Sequence, residues 1–141
     1  MIKIQPARAQ SPLAHRQALA VDGLSMRERP FLIKINLRGR LSDLGQLTEK
    51  VCGLAAPAAG RSITNKTGAV HWLSPDRLLY VAEKEECHLL SSSFANAPGG
   101  DLAHITDVSH HETVIELKGM NARNVLQKIS TLDLHPDFFK K

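Results

Sequence analysis

The stretch Asp107-Val-Ser-His-His-Glu-Thr-Val-Ile-Glu-Leu-Lys-Gly119 reads as strand sequence closed by a glycine turn, and a helix follows it. In that helix Ala122, Val125, Leu126 and Ile129 stand at i, i+3, i+4 and i+7, the spacing of one apolar stripe. The same short motif occurs earlier, where Ile35-Asn-Leu-Arg-Gly39 also ends a strand with Leu, a basic residue and Gly before a helix opens. A chain that repeats strand, glycine and helix in this way is assembling more than one copy of a strand-helix unit.

Working outward from the two copies, Phe31, Ile33, Ile35 and Leu37 alternate with Leu32, Lys34, Asn36 and Arg38, the period of a half-buried strand. Ser42 is placed to cap the next helix, whose face is Leu44, Leu47, Val51 and Leu54. Pro57 ends that helix, and a loop is expected to run to about Gly68. Ala69–Leu73 and Leu78–Ala82 then form a hairpin across Ser74-Pro-Asp-Arg77, where Pro75 and Asp76 suit a tight turn. Glu83-Lys-Glu-Glu86 opens a second helix with Cys87, Leu90 and Phe94 on one face, stopped by Pro98-Gly-Gly100. Two strands follow, near Ala103 to Val108 and Glu112 to Leu117, joined at His110-His111. The first six elements make an α+β domain, a βαββαβ split arrangement with helices over one face of an antiparallel sheet. The last strand and helix are part of a second such unit. Residues 1–26 mix Pro6, Pro12 and Gly23 with polar residues and read as an N-terminal arm, with one helical hint over Ser11–Ala20; residues 27–141 read as a single domain.

The chain has 141 residues, 43% of them hydrophobic and 23% charged, which suits one folded domain and excludes extensive disorder. Its formal charge of +4 is spread over scattered residues, so a solvated surface is expected, compatible with an acidic protein partner. Cys52 and Cys87 sit among apolar neighbours and read as small hydrophobes rather than a disulfide. There is neither a secretory pattern at the start nor a run of ~18 apolar residues, and a cytoplasmic, membrane-free location is expected.

Several segments, in this order, resemble the sarcosine oxidase gamma subunit family. They are Ser11-Pro-Leu-Ala-His-Arg16; Glu28-Arg-Pro-Phe31 leading to Ile35-Asn-Leu-Arg-Gly39; Trp72-Leu-Ser-Pro-Asp-Arg-Leu-Leu79; Asp107-Val-Ser109; and Leu132-Asp-Leu-His-Pro136 followed by Phe138. The resemblance implies a fold akin to the folate-binding domain of the glycine cleavage T protein, and membership of a heterotetramer that oxidises sarcosine to glycine. It also implies alpha and beta flavin-binding subunits and a small delta subunit as partners. FAD, FMN, NAD and tetrahydrofolate belong to the partner subunits, and none to this chain. Family members usually continue past the Leu-Asp-Leu-His-Pro segment, whereas this chain stops at Lys141. The strand edge left open is therefore expected to be covered by a partner or by a second copy.

No residue is expected to be catalytic, cofactor-binding or metal-ligating. His104, His110 and His111 lie near Asp101 and Asp107, yet adjacent histidines on a strand point to opposite faces, so a polar hairpin tip is the better reading. His135 is expected to anchor the closing loop. Ser109 beside His110 lacks the Gly-x-Ser-x-Gly setting of a nucleophile, the thiols lack Cys-x-x-Cys spacing, and no phosphate- or dinucleotide-binding glycine motif occurs. Nucleic-acid binding is disfavoured because Lys34, Asn36 and Arg38 share a strand face without an aromatic to stack a base. The reading is a non-catalytic gamma subunit. The alternatives are a stand-alone folate-binding or aminomethyltransferase-like protein and a homo-oligomeric interaction module.

Overall fold

The computed structural model describes residues 9–83 and 90–135. Its elements are β1 (Leu19–Val21), β2 (Leu24–Arg29), β3 (Ile33–Arg38), α1 (Leu41–Cys52), β4 (Ser62–Thr64), β5 (Gly68–Ser74), β6 (Arg77–Ala82), α2 (Leu90–Asn96), β7 (His104–Asp107), β8 (Val114–Lys118) and α3 (Ala122–Gln127). The chain divides into two compact units. The larger runs from Phe31 to Glu112, and the smaller joins the residues before Phe31 to those from Thr113 onward.

In the larger unit five antiparallel strands lie in the order β4-β5-β6-β3-β7. The alternation read in β3 has its physical outcome here: Ile33, Ile35 and Leu37 are buried on one face, where α1 and α2 cover them. α1 contributes Leu44 and Leu47, α2 contributes Phe94, and β5 and β6 contribute Val70, Leu78 and Tyr80 to the same cluster. The rings of Tyr80 and Phe94 meet edge to face with centroids 5.7 Å apart, the geometry their quadrupoles favour. This unit is the split α+β arrangement expected, with β4 as an added edge strand inside the segment expected to be loop. Asn65 organises the β4–β5 turn. Its Oδ1 accepts from Thr67 N and Gly68 N at 2.9 and 3.0 Å, while its Nδ2 donates to Cys52 O at 2.7 Å.

α1 begins one residue before Ser42. Its N-cap is Arg40, which makes no side-chain cap bond, and the Ser42 hydroxyl donates to Asp43 instead. At its other end Gly53 takes φ 67°, a left-handed value natural to glycine, and donates to Glu49 O at 3.0 Å. The second helix is described from Leu90; Lys84–Glu86 and Cys87 lie outside the described residues, as do Pro136, Phe138 and Lys141.

The smaller unit holds the sheet β1-β2-β8. Part of the expected N-terminal arm is thus sheet: β1 and β2 form a hairpin in which Val21 faces Leu24 across Asp22-Gly23. Asp-Gly is a favoured two-residue hairpin loop because glycine accepts positive φ, here 71°. The helical hint at Ser11–Ala20 gives only turns, with Ala14 N on Ser11 O and Arg16 N on Leu13 O. β7 pairs with β3 and β8 with β2, so the two strands flanking His110-His111 belong to different sheets and are not one hairpin. The echo of Gly39 and Gly119 holds, each ending a strand before a helix. No helix among the described residues is long and apolar enough to cross a membrane.

Leu44 is fully buried in the cluster between α1 and the sheet. Leu44→Ala is expected to cost about 2–5 kcal/mol in chemical denaturation, Leu44→Met under about 1.5 kcal/mol, and the exposed Leu102→Ala within about 0.5 kcal/mol.

Candidate functional site

Each constellation noticed in the sequence has a definite place. Asp107 and Ser109 form a turn: the Asp107 carboxylate accepts from the Ser109 backbone N–H at 2.9 Å and from its hydroxyl. Those bonds hold the Asp107 carboxyl below its usual range, the Ser109 hydroxyl contributing most. Ser109 Oγ in turn accepts from Lys34 N at 3.1 Å, and Val108 N donates to Lys34 O at 2.8 Å, so Asp107-Val-Ser109 stitches the end of β7 to β3. His110, His111 and His104 are exposed. Among the described residues no three His, Cys, Asp or Glu side chains could share a metal ion. At the closing loop Leu134 is buried and His135 exposed, and the His135 backbone N–H donates to Asp133 Oδ1 at 2.9 Å.

Burial pushes the Cys52 thiol up to about 11, and its Sγ lies 2.9 Å from Thr48 O, the setting of an inert thiol. A pair that the sequence did not suggest is Ser62 and His71, 2.7 Å apart across β4 and β5. Burial lowers the His71 pKa. Among the described residues no carboxylate orients its second ring nitrogen, so the pair is a cross-strand hydrogen bond without the third member a nucleophile needs. Its residues are nine apart and become neighbours only through strand pairing, which spacing alone does not reveal.

The smaller unit carries two contrasting sheet faces. Leu19, Met26 and Leu117 face one another across the three strands, and Val21, Leu24 and Ile115 share their side. Of these Leu19, Val21, Met26 and Ile115 are exposed, Ile115 by 50%. An apolar sheet face of this kind is the usual mark of a surface that another protein covers. The opposite face is charged. Glu116 accepts from Arg27 Nε at 2.6 Å and Arg29 Nη1 at 3.0 Å, with Lys118 Nζ at 3.2 Å. These bonds, Arg27 first, bring the Glu116 carboxyl down to about 2 from an ordinary 4.5 against the opposing effect of partial burial. Glu28 lies on the apolar side, opposite Ile115; it accepts from Ser11 Oγ and Thr113 Oγ1, each at 2.7 Å, and from Leu13 N, fastening the turns at 11–16 to β2 and the approach to β8. The Thr113 bond leads in lowering its pKa.

A carboxylate whose pKa is lowered by folding stabilises the fold above its unfolded pKa and loses that contribution as pH falls toward the folded value. For Glu116 the loss spans pH 4.5 down to about 2. Glu116→Gln is expected to flatten the fall in stability over that window, measured by denaturation at stepped pH. Glu28→Ala is expected to speed limited proteolysis near residues 11–16 several-fold while leaving the Leu44 core intact.

A model of the sarcosine oxidase, gamma subunit family matches residues 43–141. The sarcosine oxidase subunit gamma of Corynebacterium sp. (strain U-96) is 31% identical over 139 residues, covering 92% of this chain and 67% of that protein. Its counterpart from Arthrobacter sp is 30% identical, covering 89% and 63%, and that of Corynebacterium sp. (strain P-1) is 38% identical, covering 92% and 66%. The chain thus spans about two-thirds of the length of these relatives. A chain of the heterotetrameric sarcosine oxidase from Corynebacterium sp. U-96, solved with pyrrole 2-carboxylate, matches with TM-score 0.79 at 30% identity, over 93% of this chain and 71% of that one. With most of its length matched in sequence and in backbone course, the chain belongs to the sarcosine oxidase gamma subunit family.

Proposed function

We propose that this chain is the non-catalytic gamma subunit of a heterotetrameric sarcosine oxidase-like complex in the cytoplasm. The complex oxidises sarcosine to glycine and passes the released methylene to tetrahydrofolate. Alpha and beta subunits carry FAD, FMN, NAD and the folate site, a small delta subunit completes the tetramer, and this chain supplies packing surface. The observation that carries the reading is the match to a chain of a solved heterotetramer over 93% of the residues. The exposed apolar side of β1-β2-β8 supports it, because a face of Leu, Val, Met and Ile is what an obligate subunit buries against a large partner.

Co-expression of the tagged chain with alpha, beta and delta subunits tests the proposal. The expected outcome is co-elution of a coloured flavoprotein complex, and a chain that never enters such a complex overturns the reading. Met26→Asp, on the middle strand between Leu19 and Leu117, is expected to weaken capture by about tenfold or more. β8 pairs only with β2 among the described residues and so has an open edge. In the absence of partners, light scattering is expected to give a mass above that of one chain that rises with concentration.

A further inference from the structure

Burial is shared unequally between the two units. The larger holds the whole hydrophobic cluster around Ile35, Leu37, Leu44 and Phe94, whereas among the described residues of the smaller unit one side chain, Leu134, is buried. No residue of β1, β2, β8 or α3 is buried. The apolar stripe of α3 ends on Ile129, 78% exposed, with Met120 before it at 86% and Leu132 after it at 65%. Apolar side chains that stay in water add nothing to the burial that offsets chain entropy.

What holds the smaller unit is polar and local. Three short strands pair by backbone, and Glu116 gathers Arg27, Arg29 and Lys118 on a solvent-facing surface, where ion pairs contribute far less than a packed core. Its two glycine turns clasp each other. Asn121 N donates to Gly23 O at 3.0 Å, and a Cβ on Gly119, whose φ is 118°, would run into that same carbonyl. A three-stranded sheet needs its apolar face covered to stand alone, and here Leu19, Val21, Met26 and Ile115 leave that face open.

The order of the chain lets one unit yield without the other. The larger is a continuous run, Phe31 to Glu112, and the smaller joins it through the Pro30–Phe31 and Glu112–Thr113 peptides. Release of the smaller unit therefore takes no residue out of the Ile35–Leu44 core. Seven of the eleven exposed large hydrophobic residues lie in the smaller unit, a concentration that suits one extensive partner surface. The backbone course also matches, over 93% of this chain, that of a chain solved inside a heterotetramer.

We propose that the smaller unit opens as one piece while the larger stays folded, and that burial of its apolar face against a large subunit is what orders it. The nature of that cover rests on the subunit reading above; the opening does not. Docking and ordering are then one event, in which the partner supplies the core that the unit lacks.

Amide hydrogen exchange read by mass spectrometry tests the proposal, on the full chain at a concentration where light scattering gives one chain and on the complex co-purified with the large subunits. In the free chain β2 and β8 are expected to exchange at one shared rate, about a hundredfold or more faster than β3 and β6. In the complex they are expected to slow by about tenfold or more while β3 barely changes. Gly119→Ala is expected to quicken β2 and β8 several-fold and leave β3 alone, and Leu44→Ala to quicken β3 while β2 keeps its rate. Equal rates in the two units of the free chain overturn the proposal. So does a Gly119→Ala chain that loses β3 along with β2, or a complex in which β2 and β8 exchange as fast as in the free chain. A chain that shows the free-state contrast and enters no complex upholds the opening and overturns the subunit reading with the cover it supplies.

Discussion

The strand Ile33–Arg38 is the constraint around which the larger unit is built. It pairs with β6 on one side and β7 on the other, and Ile35 and Leu37 are fully buried against the helices. Because side chains alternate across a strand, the same backbone that commits Ile33, Ile35 and Leu37 to the core also commits Lys34 and Asn36 to the opposite face. A one-residue slip would put a lysine under α1. The register is accordingly held at both ends, by the Arg38–Asp76 pair at 2.9 Å beside the β5–β6 turn and by the Ser109 bond to Lys34 N at the other.

What the sequence disclosed follows from how local each signal is. The Ile33–Leu37 alternation, the Leu44–Leu47 stripe and the Ser74–Arg77 turn are each written within a dozen residues and took their expected form, whereas Phe31, expected on the same strand face, precedes β3 at φ 59° and is exposed, and Lys34 on the opposite face is buried. β4 is different. Ser62, Ile63 and Thr64 are all exposed, so no burial pattern announces a strand; pairing with β5 alone creates it. The β1–β2 hairpin was obscured because Leu13, Gln17 and Ala20 mimic a helical face, although Asp22-Gly23 is a hairpin loop by its own chemistry. The cap assigned to Ser42 failed by two positions, since backbone course rather than side-chain preference sets where α1 begins.

The apolar face of the smaller unit is further beyond the reach of sequence spacing. It gathers Leu19, Met26 and Leu117 from opposite ends of the chain. The family resemblance did not name it. Only the pairing of strands turned scattered residues into a face.

The smaller sheet has a temporal consequence during synthesis. Arg27 and its partner Glu116 are 89 residues apart, so the N-terminal hairpin leaves the ribosome long before β8 exists to pair with it. Throughout that interval the intervening residues can collapse around β3, while Leu19, Val21 and Met26 wait in an unfinished ribbon that is vulnerable to intermolecular pairing. The larger unit is thus the half that can nucleate first, and the smaller one is a late closure whose completion depends on the nascent chain being shielded until its last third emerges.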